Sequence, residues 1–170
     1  MLRKILFGGI AMIVMAAPAV AGEFSAVSTI DKAVSSTNED GSVSIEYVNA
    51  DRVIPGDTLH YRIAYANETD EAVDEVDLVM NVPSEVIFSE NSARLVGEAD
   101  ALIPLADLGI SVSFSTDNGT SFAPRGDLTV TVAGQDRSAV SEDITNVRFT
   151  FAEPIPAGQS GSVMFTAIVR

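Results

Sequence analysis

Apolar and polar residues alternate with a period of two over most of this chain, and that pattern restricts its fold more than any other feature. Val43, Ile45 and Tyr47 alternate with Ser42, Ser44 and Glu46, and Leu59, Tyr61, Ile63 and Tyr65 with Thr58, His60, Arg62 and Ala64. The pattern returns at Val76, Leu78, Met80 and Val82, and at Ile110, Val112 and Phe114. Leu128, Val130 and Val132 repeat it, followed by Val147, Phe149 and Phe151, and then by Val163, Phe165, Ala167 and Val169. Successive side chains of a strand point to opposite faces, so each run offers one apolar face to a core and one polar face to water. Antiparallel sheets covered on one side have this signature. Turn signals separate the runs: Asn38-Glu39-Asp40-Gly41, Pro55-Gly56-Asp57, residues 67–70, Asp117-Asn118-Gly119 and Pro156-Ala157-Gly158. The single helix candidate, residues 98–108, is broken by Pro104 and reads as a loop or one turn. No internal repeat is visible. The expectation is an all-β chain: one antiparallel β-sandwich of the immunoglobulin-like or fibronectin-like kind over residues 43–170.

The head of the chain obeys a different rule. Arg3 and Lys4 precede an apolar run over residues 5–15, interrupted only by Gly8 and Gly9, and Ala19-Val20-Ala21 supplies a small-x-small cleavage site. Residues 1–21 therefore read as a secretory signal peptide, removed before Gly22, which sends the protein to the periplasm, the cell surface or the medium. No other run reaches the roughly 20 apolar residues of a membrane-spanning helix. Cysteine is absent, so neither a disulfide nor a lipid-modified cysteine is available and packing alone must hold the domain. The whole chain has 10 Lys and Arg against 24 Asp and Glu; losing Arg3 and Lys4 leaves 8 against 24, a balance of −16. A field of that sign repels nucleic acid and anionic membranes, which removes both from the expected partners.

Residues 22–42 are patterned more loosely, with apolar residues scattered among serines and threonines. Two readings stay open. The segment is a first strand of the sandwich, or it is an extended arm in which Phe24, Val27, Ile30 and Val34 pair with an exposed sheet edge on another copy.

Catalytic chemistry finds little to work with. His60 is the only histidine, sits on the polar side of its run, and has no cysteine or second histidine beside it to hold zinc. There is no Gly-x-Ser-x-Gly elbow and no glycine-rich phosphate loop. Glu68, Asp70, Glu71, Asp74, Glu75 and Asp77 put six acids within ten residues. Calcium needs six to eight converging oxygens, and the Asp-x-Asp-x-Asp-Gly spacing is missing, so the stretch reads first as a solvated turn. The competing expectation is a weak calcium site at Glu68, Asp70, Asp74 and Asp77, alone or shared with Asp51 and Asp57. No other cofactor is expected. Ser115-x-Asp117-x-Gly119-x-x-Phe122 resembles an Asp-box, a folding device in which the carboxylate bonds amides across a hairpin turn. Asn67-Glu68-Thr69 and Asn118-Gly119-Thr120 match the glycosylation pattern, with no use expected for either.

The stretch Ile54-Pro55-Gly56-Asp57-Thr58-Leu59-His60-Tyr61-Arg62-Ile63, followed by Tyr65-Ala66-Asn67, resembles the opening of a bacterial family, the conserved-repeat domain or domain of unknown function 11. Asn81-Val82-Pro83 is similar to that family's strand-ending step, and the segment from Phe114 to Phe122 to its "SxDGGxxF" hairpin. Ile144-Thr145-Asn146-Val147-Arg148-Phe149-Thr150-Phe151 and Ile155-Pro156-Ala157-Gly158-Gln159-Ser160-Gly161 are similar to its ending. The resemblance covers about residues 43–170. It implies an immunoglobulin-like sandwich in an exported or surface-associated bacterial protein; many members carry tandem copies or an anchor, and a single copy without an anchor is expected here. The expected function is non-catalytic: a structural or interaction protein of the cell envelope or extracellular matter, self-associating by β-strand addition or binding protein partners. The alternative is a monomeric module whose loops hold calcium, a glycan or a protein.

Overall fold

A computed structural model describes residues 14–15, 23–37, 42–97, 101–105 and 108–170. The expected signal peptide and its cleavage site lie outside the described residues except at Val14–Met15, and the turn at Asn38-Glu39-Asp40-Gly41 lies outside them entirely. The strands in chain order are β1 (Val14–Met15), β2 (Phe24–Thr37), β3 (Val43–Asn49), β4 (Thr58–Asn67), β5 (Asp77–Asn81), β6 (Val86–Phe88) and β7 (Arg94–Val96). They continue with β8 (Leu102–Ile103), β9 (Ile110–Ser115), β10 (Thr129–Val132), β11 (Gln135–Ser138), β12 (Asn146–Phe151) and β13 (Ser160–Val169). Every pairing is antiparallel. The wide sheet runs β3-β2-β4-β13-β7-β8, with β6 also on β13, and the narrow sheet runs β1-β5-β12-β9.

The alternation places the core between these sheets. Leu59, Tyr61, Ile63 and Tyr65 of β4 and Val163, Phe165, Ala167 and Val169 of β13 are buried on the inner face of the wide sheet. Leu78 and Met80 of β5, Val147, Phe149 and Phe151 of β12, and Ile110 and Phe114 of β9 answer them from the narrow one. Tyr61 stacks on Phe165 with ring centres 4.9 Å apart. Phe88 meets Phe114 and Tyr65 meets Phe151, each pair edge-to-face at 5.1 Å and each bridging the two sheets. A fully buried side chain of this size stabilises by about 1.5–3 kcal/mol, enough in sum to hold a domain without cysteines. The chain is one all-β domain, an antiparallel sandwich.

Two departures from the sequence pattern have physical reasons. The run at Leu128, Val130 and Val132 joins neither sheet; β10 pairs only with β11, through a turn at Ala133 (φ 52°) and Gly134 (φ 80°). All four residues of β11 are exposed and none is apolar, so this ribbon has no second apolar face to bury. Within residues 98–108, expected as loop or turn, β8 adds a two-residue strand to β7.

The N-terminal segment is β2, which pairs with β4 from Phe24↔Asn67 to Lys32↔Leu59 and with β3 from Asp31↔Asn49 to Thr37↔Val43. Phe24, Ala26 and Ile30 lie half-buried against the core. Beyond Lys32 the strand has outrun β4, so its last residues and their β3 partners form a two-stranded ribbon projecting past the sandwich.

Candidate interaction surface

The motifs that look most like signatures turn out to be fastenings. In the Pro55-Gly56-Asp57 turn, Gly56 (φ 93°) donates its N–H to the Val169 carbonyl at 2.8 Å, and the Val169 N–H donates to the Asp57 carbonyl at 2.9 Å, tying the last strand to the start of β4. The Asp57 carboxylate accepts the Ile54 N–H at 2.8 Å and faces the Lys32 ammonium at 2.6 Å. Burial pushes that carboxyl up, and Lys32 and the Ile54 amide together outweigh it, leaving it below the usual carboxylate range. Asn67 is 1% exposed. Its Nδ2 donates to the carbonyls of Glu71 and Ile155 at 2.8 Å and of Pro156 at 3.1 Å, while Oδ1 accepts from the Thr69 hydroxyl at 2.6 Å and amide at 3.1 Å. An amide so enclosed has no room for a glycan.

Asp117 behaves as an Asp-box carboxylate. It accepts the Ser121 hydroxyl at 2.7 Å, the Ser121 amide at 2.9 Å and the Ser115 hydroxyl at 2.7 Å. Those bonds, the Ser121 hydroxyl foremost, hold its pKa at about 2. Asn118 (φ 58°) and Gly119 (φ 81°) turn the chain, and the Asn118 N–H donates to Thr145 Oγ1 at 3.0 Å, fastening the turn to the segment entering β12.

The acidic stretch does not converge. Glu68, Asp70, Glu71, Asp74 and Glu75 are exposed. Asp74 accepts the Glu75 N–H at 2.8 Å, and Asp77 accepts the Thr150 hydroxyl at 2.5 Å across the β5–β12 ladder, with Arg148 at 3.6 Å. Among the described residues no three His, Asp or Glu side chains gather where they would hold a metal ion, so the structure does not bring Glu68, Asp70, Asp74 and Asp77 together. His60 lies half-buried on the outer face of the wide sheet, its ring edge-on to Tyr47 at 4.7 Å. Burial, with the nearby Arg62 charge, lowers its pKa against the opposing pull of Asp31.

Among the described residues, what the fold leaves unfastened is the β3 edge of the wide sheet. The Ala50 N–H donates to the Ile30 carbonyl at 3.2 Å, which sets the phase of the β2–β3 ladder. Even-numbered residues of β3 thus turn their N–H and C=O toward β2, and odd-numbered residues, Tyr47 and Asn49 among them, turn theirs toward the open edge. Sheet edges are ordinarily blunted by lysine, proline, bulges or brevity. β3 spans seven residues with no proline, no bulge in its ladder and one charge, Glu46. Tyr47 and Val48 are exposed there, and Val34 is exposed on the adjoining β2. Of the four arm residues expected from sequence, Phe24 and Ile30 face the core, Val27 points outward at 61% exposure, and Val34 lies on the projecting ribbon. Tyr47 and Val48 were not singled out. The alternation ending at Tyr47 marked a strand, but an edge position depends on a pairing order that no local pattern carries.

The outer face of the wide sheet is also poor in acid. In a chain with 24 Asp and Glu, Asp31 is the one acid whose register position in the described strands puts it there, beside His60, Arg62 and Arg94. A shallow trough of about 440 Å³ crosses this face over Ala64, Ala66, Ser160 and Ser162, walled by Val27 and Val96. Among the described residues no helix is long and apolar enough to cross a membrane. Compared with protein-family models, curated proteins and solved structures, the chain matches none.

Proposed function

We propose that this chain is a non-catalytic, exported structural or interaction protein of the cell envelope or extracellular matter, and that it associates by β-strand addition at the edge of β3. The observation that carries the reading is that edge: long, uncovered by any of the described residues, nearly uncharged and continued by a ribbon in which β2 and β3 pair beyond the end of β4. An added strand there gains a full ladder of backbone hydrogen bonds. β2 is the segment read from sequence as either a first strand of the sandwich or an extended arm, and it is held as a strand within its own sheet, so the site of addition is the β3 edge and not a free arm. The signal peptide read from residues 1–21 and the resemblance to an exported bacterial family support the location.

The experiment is light scattering on the mature protein, residues 22–170, over a range of concentrations, beside Tyr47→Pro. The Tyr47 N–H points away from β2, so proline there removes an edge donor without removing a bond of the β2–β3 ladder. Species heavier than the monomer are expected, reverting to monomer in Tyr47→Pro. A wild-type protein monomeric throughout overturns self-association. The second reading, a monomeric binding module, then takes its support from the acid-poor outer face and its trough.

A further inference from the structure

We infer that the strand added at the β3 edge is the β3 of a second copy, paired antiparallel about a two-fold axis through Tyr47. The inference rests on the strand-addition reading above and specifies its partner and register. The ribbon supplies the need. Where β2 and β3 pass beyond β4 they pair only with each other, and a two-stranded ribbon is marginal in water until a further strand joins it.

The fold also narrows the choice of occupant. Among the described strands, the other sheet edges are β8, two residues long, β9, whose Phe114 already pairs with Ala123, and β5, five residues long, which β1 covers at Asp77 and Leu78 only while residues 1–21 remain attached. The longest of the open edges is β3, seven residues against five for β5, and an edge that meets its own twin about a two-fold axis closes without leaving a surface to propagate. A partner strand must also tolerate a mature chain approaching it with 8 Lys and Arg against 24 Asp and Glu, a balance of −16, and β3 brings only Glu46 to the contact.

Glu46 sets the register. A two-fold axis normal to the sheet keeps outer faces with outer faces, so paired residues share parity. Centring on Glu46 places it opposite its twin in a closely spaced, non-hydrogen-bonded pair, with Cα atoms about 4.5 Å apart, where like charges repel. Centring on Tyr47 sets Glu46 opposite Val48 and Ile45 opposite Asn49, and lets the two Tyr47 residues exchange both N–H···O bonds. That pairing covers Tyr47 and Val48, whereas centring on Ile45 leaves the exposed Val48 outside the paired stretch.

The absence of cysteine makes the register readable by single-cysteine cross-linking of the mature protein. Opposed residues of a hydrogen-bonded pair lie with Cα atoms about 5.5 Å apart, within disulfide range. Tyr47→Cys leaves Glu46 in place and is expected to form a disulfide-linked dimer on mild oxidation, several-fold more completely than Ile45→Cys. An equimolar mixture of Ser44→Cys and Val48→Cys, which are opposed only in the register centred on Glu46, is expected to stay unlinked. Dimer yield for Tyr47→Cys is expected to rise with ionic strength, because salt screens the repulsion between two acidic copies. Preferential linkage of Ile45→Cys, or linkage of the 44–48 mixture, overturns the register. Wild-type assembly by light scattering with no linkage in any variant overturns the β3–β3 pair while leaving assembly through another edge standing. A wild-type protein that remains monomeric overturns both readings.

Discussion

Replacing Asn67 by alanine tests whether one buried amide holds the end of the sandwich opposite the ribbon. Its side chain makes five hydrogen bonds, three donated by Nδ2 and two accepted by Oδ1. Counting each at a net of about 1 kcal/mol overstates the loss, because the three carbonyls keep other donors. The Thr69 hydroxyl, released from Asn67, can turn its one proton to the Glu71 carbonyl 2.7 Å away, while the Ile155 carbonyl keeps the Val73 N–H at 2.9 Å and the Pro156 carbonyl the Gln159 N–H at 3.1 Å. The group left without a partner is the Thr69 amide, at about 1–3 kcal/mol for a buried donor. Together with the lost bonds this gives about 3 kcal/mol, or a fall in Tm of about 6–12 °C for a domain of this size. Urea and thermal unfolding followed by far-UV circular dichroism measure it, with an unchanged urea slope showing that the unfolding unit is the same. Asn67→Asp sharpens the test, because it keeps the shape and turns a carboxylate toward three carbonyl oxygens. It is expected to be worse than alanine at neutral pH and to recover as the pH falls, since burial raises the pKa of the new acid and its neutral form can donate. A loss below about 1 kcal/mol for alanine, or an aspartate variant indifferent to pH, refutes the assignment of the clamp to this side chain.

Two other substitutions probe the same framework. Gly161→Ala would place a Cβ 2.5 Å from Tyr65 Oη and 2.7 Å from Cζ, against a ring confined by Phe151 and Phe24, so a loss of about 1–3 kcal/mol in chemical denaturation is expected. In a Tyr65→Ala background the same change should become nearly neutral, and failure of that coupling refutes the steric account. Asp117, held at about 2 in the fold, contributes stability that is complete above its ordinary value of 3.8 and is lost as the pH falls through 2. The Tm difference between wild type and Asp117→Ala is therefore expected to be constant from neutrality to about pH 5 and to shrink toward pH 2, and a difference that persists at pH 2 counts against the carboxylate bonds.

The sandwich itself could be read from the sequence because burial follows parity. Along β4 and β13 the odd-numbered residues fall on the core side, as the alternation required. Shorter pieces escaped: β7 and β8, at three and two residues, are too brief to show a period and exist through their pairing to β13 and to each other. Asn67 stood at the end of a recognisable motif, yet its function depends on carbonyls 88 and 89 residues away. The acidic stretch misleads in another way. Spacing along the chain suggested a shared site, while the β5–β12 register gives Asp77 to Thr150 and Arg148 and leaves its neighbours in solvent. Edge strands are the hardest case, since β3 and β4 carry the same local pattern and differ only in how many neighbours they acquire.

That difference bears on why an acidic chain would leave one edge bare. A uniform negative field keeps copies apart at long range, so an open strand in such a chain does not aggregate indiscriminately. Close contact is then restricted to places where charge is scarce, and the described residues offer the acid-poor outer face and the β3 edge with its single Glu46. Of these only the edge presents unpaired backbone, which gives strand addition its directionality. Glu46 then acts on register more than on affinity: it penalises the pairing in which it meets itself and leaves the neighbouring one free. On this reasoning Glu46→Gln should loosen the register, so that adding it to the Ser44→Cys and Val48→Cys pair lets that mixture link. If the mixture stays unlinked while Tyr47→Cys still links, the register is set by Tyr47 and Val48 packing, and the charge has no part in it.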